Sequence, residues 1–247
     1  MNPKYLKILK DLIEKVDVVL YVLDARYIDY TYSEKWVQYI RNKQKKIIFV
    51  VNKVDLLSRE EEDQIKERLD KFFTDPYVLF SAKKYWNVNV LRKKIKESVN
   101  KQIINACVLG YSNVGKSSVI SALKGKGSAK VSSFAGFTKG IQRIKIDNQI
   151  YLWDAPGVDL EIEDENILAI LGARNPEDLK DSITPAEIVL KRFGISLQEY
   201  AKRMNFLRKG TELDLDRASK DVLRRNFDNT LQDIINRIMK KDDQNLN

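Results

Sequence analysis

The sequence predicts an α/β domain with a mainly parallel sheet, followed by a small all-helical domain. Three observations lead there. Near-continuous apolar runs of strand length, such as Val16–Leu23, Ile47–Val51 and Ile104–Leu109, are the pattern of strands buried on both faces. Amphipathic helical segments alternate with these runs, as crossovers between parallel strands require. After about Leu160 the strand pattern stops and only helical periodicity continues. We place the α/β domain at residues 1–165 and the helical domain at residues 166–247.

The elements follow in order. Lys4–Lys15 carries Leu6, Leu9, Leu12 and Ile13 on one helical face. Val16–Leu23 is the first strand, Ser33–Asn42 a helix and Ile47–Val51 the second strand. Ser58 and an acidic first turn open a helix through Phe73, with Ile65, Leu69 and Phe72 at helical spacing. Tyr77–Phe80 is a third short strand and Val90–Val99 another helix, after which Ile104–Leu109 runs into Gly110. Ile141–Ile146 and Ile150–Trp153 read as a hairpin around Asp147-Asn148. Further on, Ile167–Gly172 is helical, and Thr184–Phe193 is a helix with Pro185 in its first turn. Ser196 and Glu199 form a capping box for a third helix. Leu215, Ala218, Val222, Phe227, Leu231, Ile234, Ile235 and Ile238 continue at helical spacing, and the tail Lys240–Asn247 reads as disordered.

Composition bounds the chemistry. Length of 247 residues and 43% hydrophobic content allow a sizeable core plus an appendage, and 32% charged residues argue for a soluble protein. Val16–Leu23, the longest apolar run, is interrupted by Asp17 and falls far short of the ~20 residues that span a bilayer. The Lys-rich amphipathic start has no apolar core of a secretory signal. A single cysteine, Cys107, excludes an internal disulfide, fits a reducing cytoplasm and sits among apolar neighbours as a buried strand residue does. The chain has no histidine, which excludes histidine catalysis and histidine-ligated metals. Together with the Lys/Ile-rich composition this points to an archaeal or thermophilic source. Net charge is +9, unevenly spread: Ser81–Ile146 holds 14 Lys and Arg against Glu97 alone, leaving the remainder slightly acidic. Such a block suits a polyanionic partner, and it equally suits a solvated Lys-rich surface of a heat-adapted protein.

Gly110-Tyr-Ser-Asn-Val-Gly115-Lys116-Ser117 matches G-x-x-x-x-G-K-[ST] between an expected strand and an expected helix. In that context the stretch Asn113, Val114, Gly115, Lys116, Ser117 and Ser118 curls backbone N–H groups around phosphates at a helix N-terminus. Lys116 holds β- and γ-phosphate oxygens and Ser117 ligates Mg²⁺. Asp154-Ala-Pro-Gly157 follows a strand, so Asp154 can reach the Mg²⁺ and Gly157 can approach the γ-phosphate. Asn52-Lys53-Val-Asp55 follows the second strand. A carboxylate at Asp55 can accept two N–H bonds from guanine, a donor pair that adenine lacks. Ser81-Ala82-Lys83 ends the third strand and offers backbone contacts to the guanine carbonyl.

These residues resemble the GTPase signature set in rotated order, because N-K-V-D and S-A-K precede the P-loop. The sequence is similar to circularly permuted GTPases, and within them to the YlqF/YawG family of ribosome-assembly GTPases. Val16-Asp-Val-Val-Leu-Tyr-Val-Leu-Asp-Ala-Arg26 and Phe206-Leu-Arg-Lys-Gly-Thr-Glu-Leu-Asp-Leu-Asp-Arg-Ala218 add to the likeness, which covers nearly the whole chain. The resemblance implies a circularly permuted Ras-like domain over 1–165, with GTP or GDP and Mg²⁺ as ligands. It makes Thr138 the switch residue reaching Mg²⁺ and the γ-phosphate, and Asn113 a contact for K⁺. Val158 stands where many GTPases carry a water-positioning glutamine, which implies slow intrinsic hydrolysis. Family members often carry a histidine segment thought to assist hydrolysis; this sequence has no histidine and begins at the following helix, which leaves its catalytic group unassigned.

The function expected is hydrolysis of GTP to GDP and phosphate by a cytoplasmic monomer. Its expected partner is rRNA in a pre-ribosomal particle or the large ribosomal subunit, bound according to nucleotide state. A nucleotide-gated binding module with negligible turnover is the competing reading, favoured by Val158. An ATPase is disfavoured by Asp55 and Ser81–Lys83.

Overall fold

A computed structural model describes residues 3–125, 130–131, 141–154, 164–208 and 212–245. The chain divides into two compact units, Met1–Glu161 and Ile162–Asn247.

The first unit begins with helix α1 (Pro3–Lys15), strand β1 (Val18–Asp24), the single turn α2 (Ile28–Thr31), α3 (Glu34–Asn42) and β2 (Lys46–Asn52). It continues through α4 (Arg59–Phe72), β3 (Tyr77–Leu79), α5 (Val88–Ser98), β4 (Ile104–Leu109) and α6 (Lys116–Lys124). Strands β5 (Lys130–Val131), β6 (Gln142–Lys145) and β7 (Ile150–Asp154) complete it. The seven strands form one sheet in the order β3-β2-β1-β4-β7-β6-β5. Strands β3, β2, β1, β4 and β7 are mutually parallel, while β6 runs antiparallel to β7 and β5. All seven residues of β1 are buried, so the sheet is covered on both faces there, as its continuous apolar run requires. Helices α1, α3, α5 and α6 supply cover against β4 and β2.

Local chemistry sets the boundaries. Ser58 caps α4 through a reciprocal pair with Glu61: its Oγ accepts from the Glu61 N–H, while the Glu61 carboxylate accepts from the Ser58 N–H. The expected hydrophobic face of α4 is corrected at its end. Phe72 is 74% exposed, whereas Phe73, where the backbone has become extended, stacks on Phe49 with ring centroids 4.1 Å apart. Leaving the helix turns the next side chain toward the sheet, which helical spacing does not anticipate. In the β6–β7 hairpin, Asp147 Oδ1 accepts the N–H groups of Gln149 and Ile150, both at 2.8 Å, and so shapes the turn.

The second unit is helical: α7 (Glu165–Ile170), α8 (Ile183–Lys191), α9 (Leu197–Arg203), α10 (Leu215–Phe227) and α11 (Leu231–Asn245). Helix α10 is its centre and packs on the other four. Three polar side chains buried in it are paired: Ser182 and Ser219 share a 2.6 Å hydroxyl bond, and Asn226 Nδ2 donates to the Ile170 carbonyl. Ser196 caps α9 from the Glu199 N–H, but the Glu199 carboxylate turns to Arg203. The tail expected to be disordered instead continues α11 to Asn245, since Lys, Asp and Gln are compatible with helix and neither Gly nor Pro interrupts them.

Candidate functional site

Because five strands are parallel, their C-terminal ends share one edge of the sheet, where open α/β sheets bind ligands. Every sequence-predicted site residue with a described position lies at that edge. Asn52 closes β2 and Asp55 lies in a short 3₁₀ turn, Val54–Leu56, after it. Ser81, Ala82 and Lys83 follow β3, the loop 110–115 joins β4 to α6, and Asp154 closes β7.

Strands β4 and β1 are adjacent, and Gly110 leaves β4 at φ +155, where an added Cβ atom would come within 2.6 Å of the Val22 carbonyl oxygen. Gly115 caps α6 at φ +96, and a Cβ there would sit 2.3 Å from Asn52 Nδ2. Only glycine fits either position. Between them Asn113 adopts a left-handed φ of 62°. Lys116 Nζ donates to the Tyr111 carbonyl at 2.7 Å, folding its side chain back over the loop, while Ser117 and Ser118 are exposed in the first turn of α6.

Asn52 ties the phosphate-type loop to the base-type loop. It is 2% exposed; its Nδ2 donates to the Val114 carbonyl at 2.9 Å and its Oδ1 accepts the Ala82 N–H at 3.1 Å. Lys53, itself left-handed at φ 69°, donates from Nζ to the Asn113 carbonyl at 2.7 Å. Asp55 is oriented by Ser81, whose hydroxyl donates to it at 2.5 Å and also accepts the Lys84 N–H. At the other end, burial raises the Asp154 carboxyl above its usual range, and Lys116 opposes that rise, so the two groups sense each other. A strand-end carboxylate within electrostatic reach of Lys116, whose neighbour in α6 is the Ser117 hydroxyl, is a donor set that fits a hydrated divalent cation carried by phosphates. Among the described residues no three Cys, Asp or Glu side chains gather into a protein-only metal site. Thr138, Gly157 and Val158 lie outside the described residues.

Two further groups at this edge were not assigned any role from sequence. Asp24 ends β1 fully buried, and Arg26 and Lys53 each reach it at 2.8 Å. Burial acts to raise the Asp24 carboxyl, but these two cations hold it far below the ordinary carboxylate range. Burial likewise draws the Lys53 ammonium below its ordinary value against the pull of Asp24. Thr31 Oγ1 accepts the Asp24 N–H and donates to the Tyr27 carbonyl, so α2 buttresses the cluster. The signal was present in the sequence: an acid closing an apolar strand needs a buried cation, and Arg26 stands two residues on.

The basic block is less free than its sequence suggests. Lys96 pairs with Asp147, Lys101 with Asp17 and Lys93 with Glu97, while Arg143 lies 3.8 Å over the Tyr151 ring. Lys83 and Lys84 remain exposed and make no ion pair among the described residues.

Comparison with known proteins agrees with this arrangement. Residues 105–208 match the family model described as 50S ribosome-binding GTPase. The chain is 36% identical over 248 residues to the uncharacterized GTP-binding protein MJ1464 of Methanocaldococcus jannaschii, covering 91% of this chain and 65% of that protein. Ribosome biogenesis GTPase A of Thermotoga maritima is 29% identical, with 85% and 81% covered. Nuclear GTP-binding protein NUG1 of Saccharomyces cerevisiae is 31% identical, with 78% and 43% covered, so the chain spans less than half of that relative. In fold, the structure titled GNP-bound YlqF from T. maritima superposes with a TM-score of 0.67 at 24% identity, covering 92% of this chain and 94% of that one. No described helix is long and apolar enough to cross a membrane. With its base-type words on β2 and β3 and its P-loop only afterwards on β4, the chain belongs to the circularly permuted P-loop GTPases.

Proposed function

We propose that the chain binds GTP with Mg²⁺ at the C-terminal edge of its parallel sheet and hydrolyses it to GDP and phosphate. We propose further that nucleotide state gates its binding to rRNA in a pre-ribosomal particle or the large ribosomal subunit. The observation that carries the reading is the Asn52 side chain, which bonds the P-loop and the S-A-K loop at once and so makes one pocket of two loops.

Within that pocket Asp55, held by Ser81, accepts the two edge N–H groups of guanine, and Ala82 and Lys83 offer backbone contacts to its carbonyl. The backbone of 113–118 and Lys116 hold the phosphates, with Lys116 exchanging its Tyr111 carbonyl for phosphate oxygens. Ser117, Asp154 and Thr138 would hold Mg²⁺, which when bound would supply positive charge against the β- and γ-phosphates. Hydrolysis moves the γ-phosphoryl group to water and breaks its bond to the β–γ bridging oxygen. Gly157 senses the γ-phosphate, and along the chain residues 155–163 lead from it directly into the helical unit, a connection suited to a switch. Asn113 offers a contact for K⁺, which would spread charge developing between the phosphates; equal turnover in NaCl and KCl removes that role.

A second reading, a nucleotide-gated binding module with negligible turnover, is favoured by Val158, since valine cannot orient water. GTP turnover in KCl with and without purified large ribosomal subunits decides between them. Strong stimulation by the subunit supports the hydrolase and its partner. Tight GTP binding with no stimulation supports the binding module. The reading as a cytoplasmic protein rests on the lone Cys107, which fits a reducing compartment.

A further inference from the structure

The loop after Ser81 carries an unusual display. Residues 83–87, Lys83-Lys84-Tyr85-Trp86-Asn87, are five consecutive exposed positions, with Tyr85 61% and Trp86 50% exposed. The other two tryptophans, Trp36 and Trp153, are each 7% exposed. Large rings left in water normally reflect a flexible or incidental surface, but this loop is fixed. The Trp86 N–H donates to the Ser81 carbonyl at 3.0 Å, the Lys84 N–H donates to Ser81 Oγ, and Asn87 Nδ2 donates to the Leu79 carbonyl at 2.8 Å. It is also strained at one residue: Tyr85 takes left-handed backbone at φ 56°, next but one to Asn87, which tolerates its own φ of 61°. For a ring-bearing residue that conformation is uncommon and is kept only where the surroundings impose it.

Charge identifies what these rings meet. Lys83 and Lys84 precede the rings, and no acid appears from Ser81 until Glu97, which is engaged by Lys93. Lysine is depleted in the centres of protein–protein interfaces, whereas rings interleaved with lysines are the composition of a surface for unpaired nucleic acid. Bases within a duplex are already stacked, so exposed aromatic faces gain a partner only where bases are splayed out.

We propose that the 83–87 loop is a docking surface for single-stranded RNA, with Tyr85 and Trp86 stacking on unpaired bases and Lys83 and Lys84 set against phosphates. The inference deepens the proposed RNA partnership and rests on it. The loop hangs on Ser81, whose hydroxyl also orients Asp55, so RNA seated here bears on the base-reading end of the nucleotide pocket.

The test uses the full chain with a single-stranded oligouridylate, a duplex RNA of equal length, and purified ribosomal subunits. Intrinsic fluorescence reads Trp86, the exposed tryptophan, and anisotropy of labelled RNA reads affinity. We expect the single strand to quench Trp86 and to bind in preference to the duplex. Tyr85→Ala and Trp86→Ala should each weaken that binding by between about 5- and 150-fold. Lys84→Gln should lower the slope of log affinity against log salt by about 0.7. Guanosine nucleotide affinity without RNA, unchanged in these variants, shows that they fold. RNA binding that survives both ring substitutions without quenching overturns this surface while leaving the RNA partnership standing. Equal binding of duplex and single strand, again without quenching, also overturns it. A Trp86 response to ribosomal subunits but to neither RNA assigns the loop to a protein and overturns the proposal. Absence of binding to any RNA removes both the surface and the RNA partnership.

Discussion

Replacing Asn52 with alanine should be felt across the whole site, and the structure sets the size of the effect. The side chain satisfies two backbone groups in an enclosed position, the Val114 carbonyl at 2.9 Å and the Ala82 N–H at 3.1 Å. Each such group left without a partner costs about 1–3 kcal/mol, and water entering the vacated space recovers part of it, so the total should be about 2–4 kcal/mol. The loss divides between two readouts. If the loops hold their places, the nucleotide-free fold is destabilised; if they relax, nucleotide binding must reorder them. Expressed wholly in binding, at about 1.4 kcal/mol per tenfold, the loss is roughly 30- to 700-fold in GDP affinity. Urea denaturation of the nucleotide-free chain and titration with a fluorescent GDP analogue measure the two parts, and their sum is the quantity predicted. Asn52→Asp offers an internal control, because it keeps an acceptor for Ala82 but presents a second acceptor to the Val114 carbonyl. It should be no better than alanine. A combined loss below about 1 kcal/mol for Asn52→Ala would refute the idea that this side chain couples the two loops.

Other outcomes follow from the same geometry. Asp55→Asn should shift preference from guanine toward xanthine nucleotides in competition binding, and unchanged GTP affinity would remove Asp55 as the base reader. Asp24, held by Arg26 and Lys53, has a folded-state pKa below its unfolded value of about 3.9, so its stabilisation is present above that pH and is lost as pH falls. Asp24→Asn should therefore flatten the acid side of a stability–pH profile and cost about 3 kcal/mol near neutrality, where two buried cations lose their partner. An unchanged profile between pH 3 and 7 contradicts this, as measured by denaturation midpoints at about unit steps in pH. Burial pushes the Cys107 thiol up to about 12, and it is fully enclosed in β4. A thiol reagent at mildly alkaline pH should label it only as fast as the chain unfolds, and immediate stoichiometric labelling of the native protein would contradict its placement.

Much of this site was legible because its motifs are backbone chemistry written as residues. Gly110 and Gly115 are dictated by approaches that no Cβ survives, and Asp55 and Asp154 stand where apolar strands end. The parallel sheet was legible for a similar reason, since β1 and β2 must be apolar on both faces. What escaped depends on long-range meeting. Asn52 finds its carbonyl partner 62 positions away, and nothing local marks the bond. Asp24 fell just beyond the strand expected over Val16–Leu23, while its charge is explained by a lysine from β2's end that the register brings alongside: Asp24 pairs with Asn52, the neighbour of Lys53. Phe72 and Phe73 exchanged roles because one residue of extended backbone reverses which ring faces the core. The two-residue β5 is too short to carry a period.

The central claim is that the edge joining β2, β3, β4 and β7 is one guanine-nucleotide pocket, so calorimetric titration of the nucleotide-free chain with GTP, GDP and ATP in Mg²⁺ tests it most directly. The account predicts one site for GTP and GDP, and ATP at least ~100-fold weaker because the Ser81-held carboxylate of Asp55 finds no donor pair on adenine. Equal affinity for ATP, or no guanine-nucleotide binding, would contradict it.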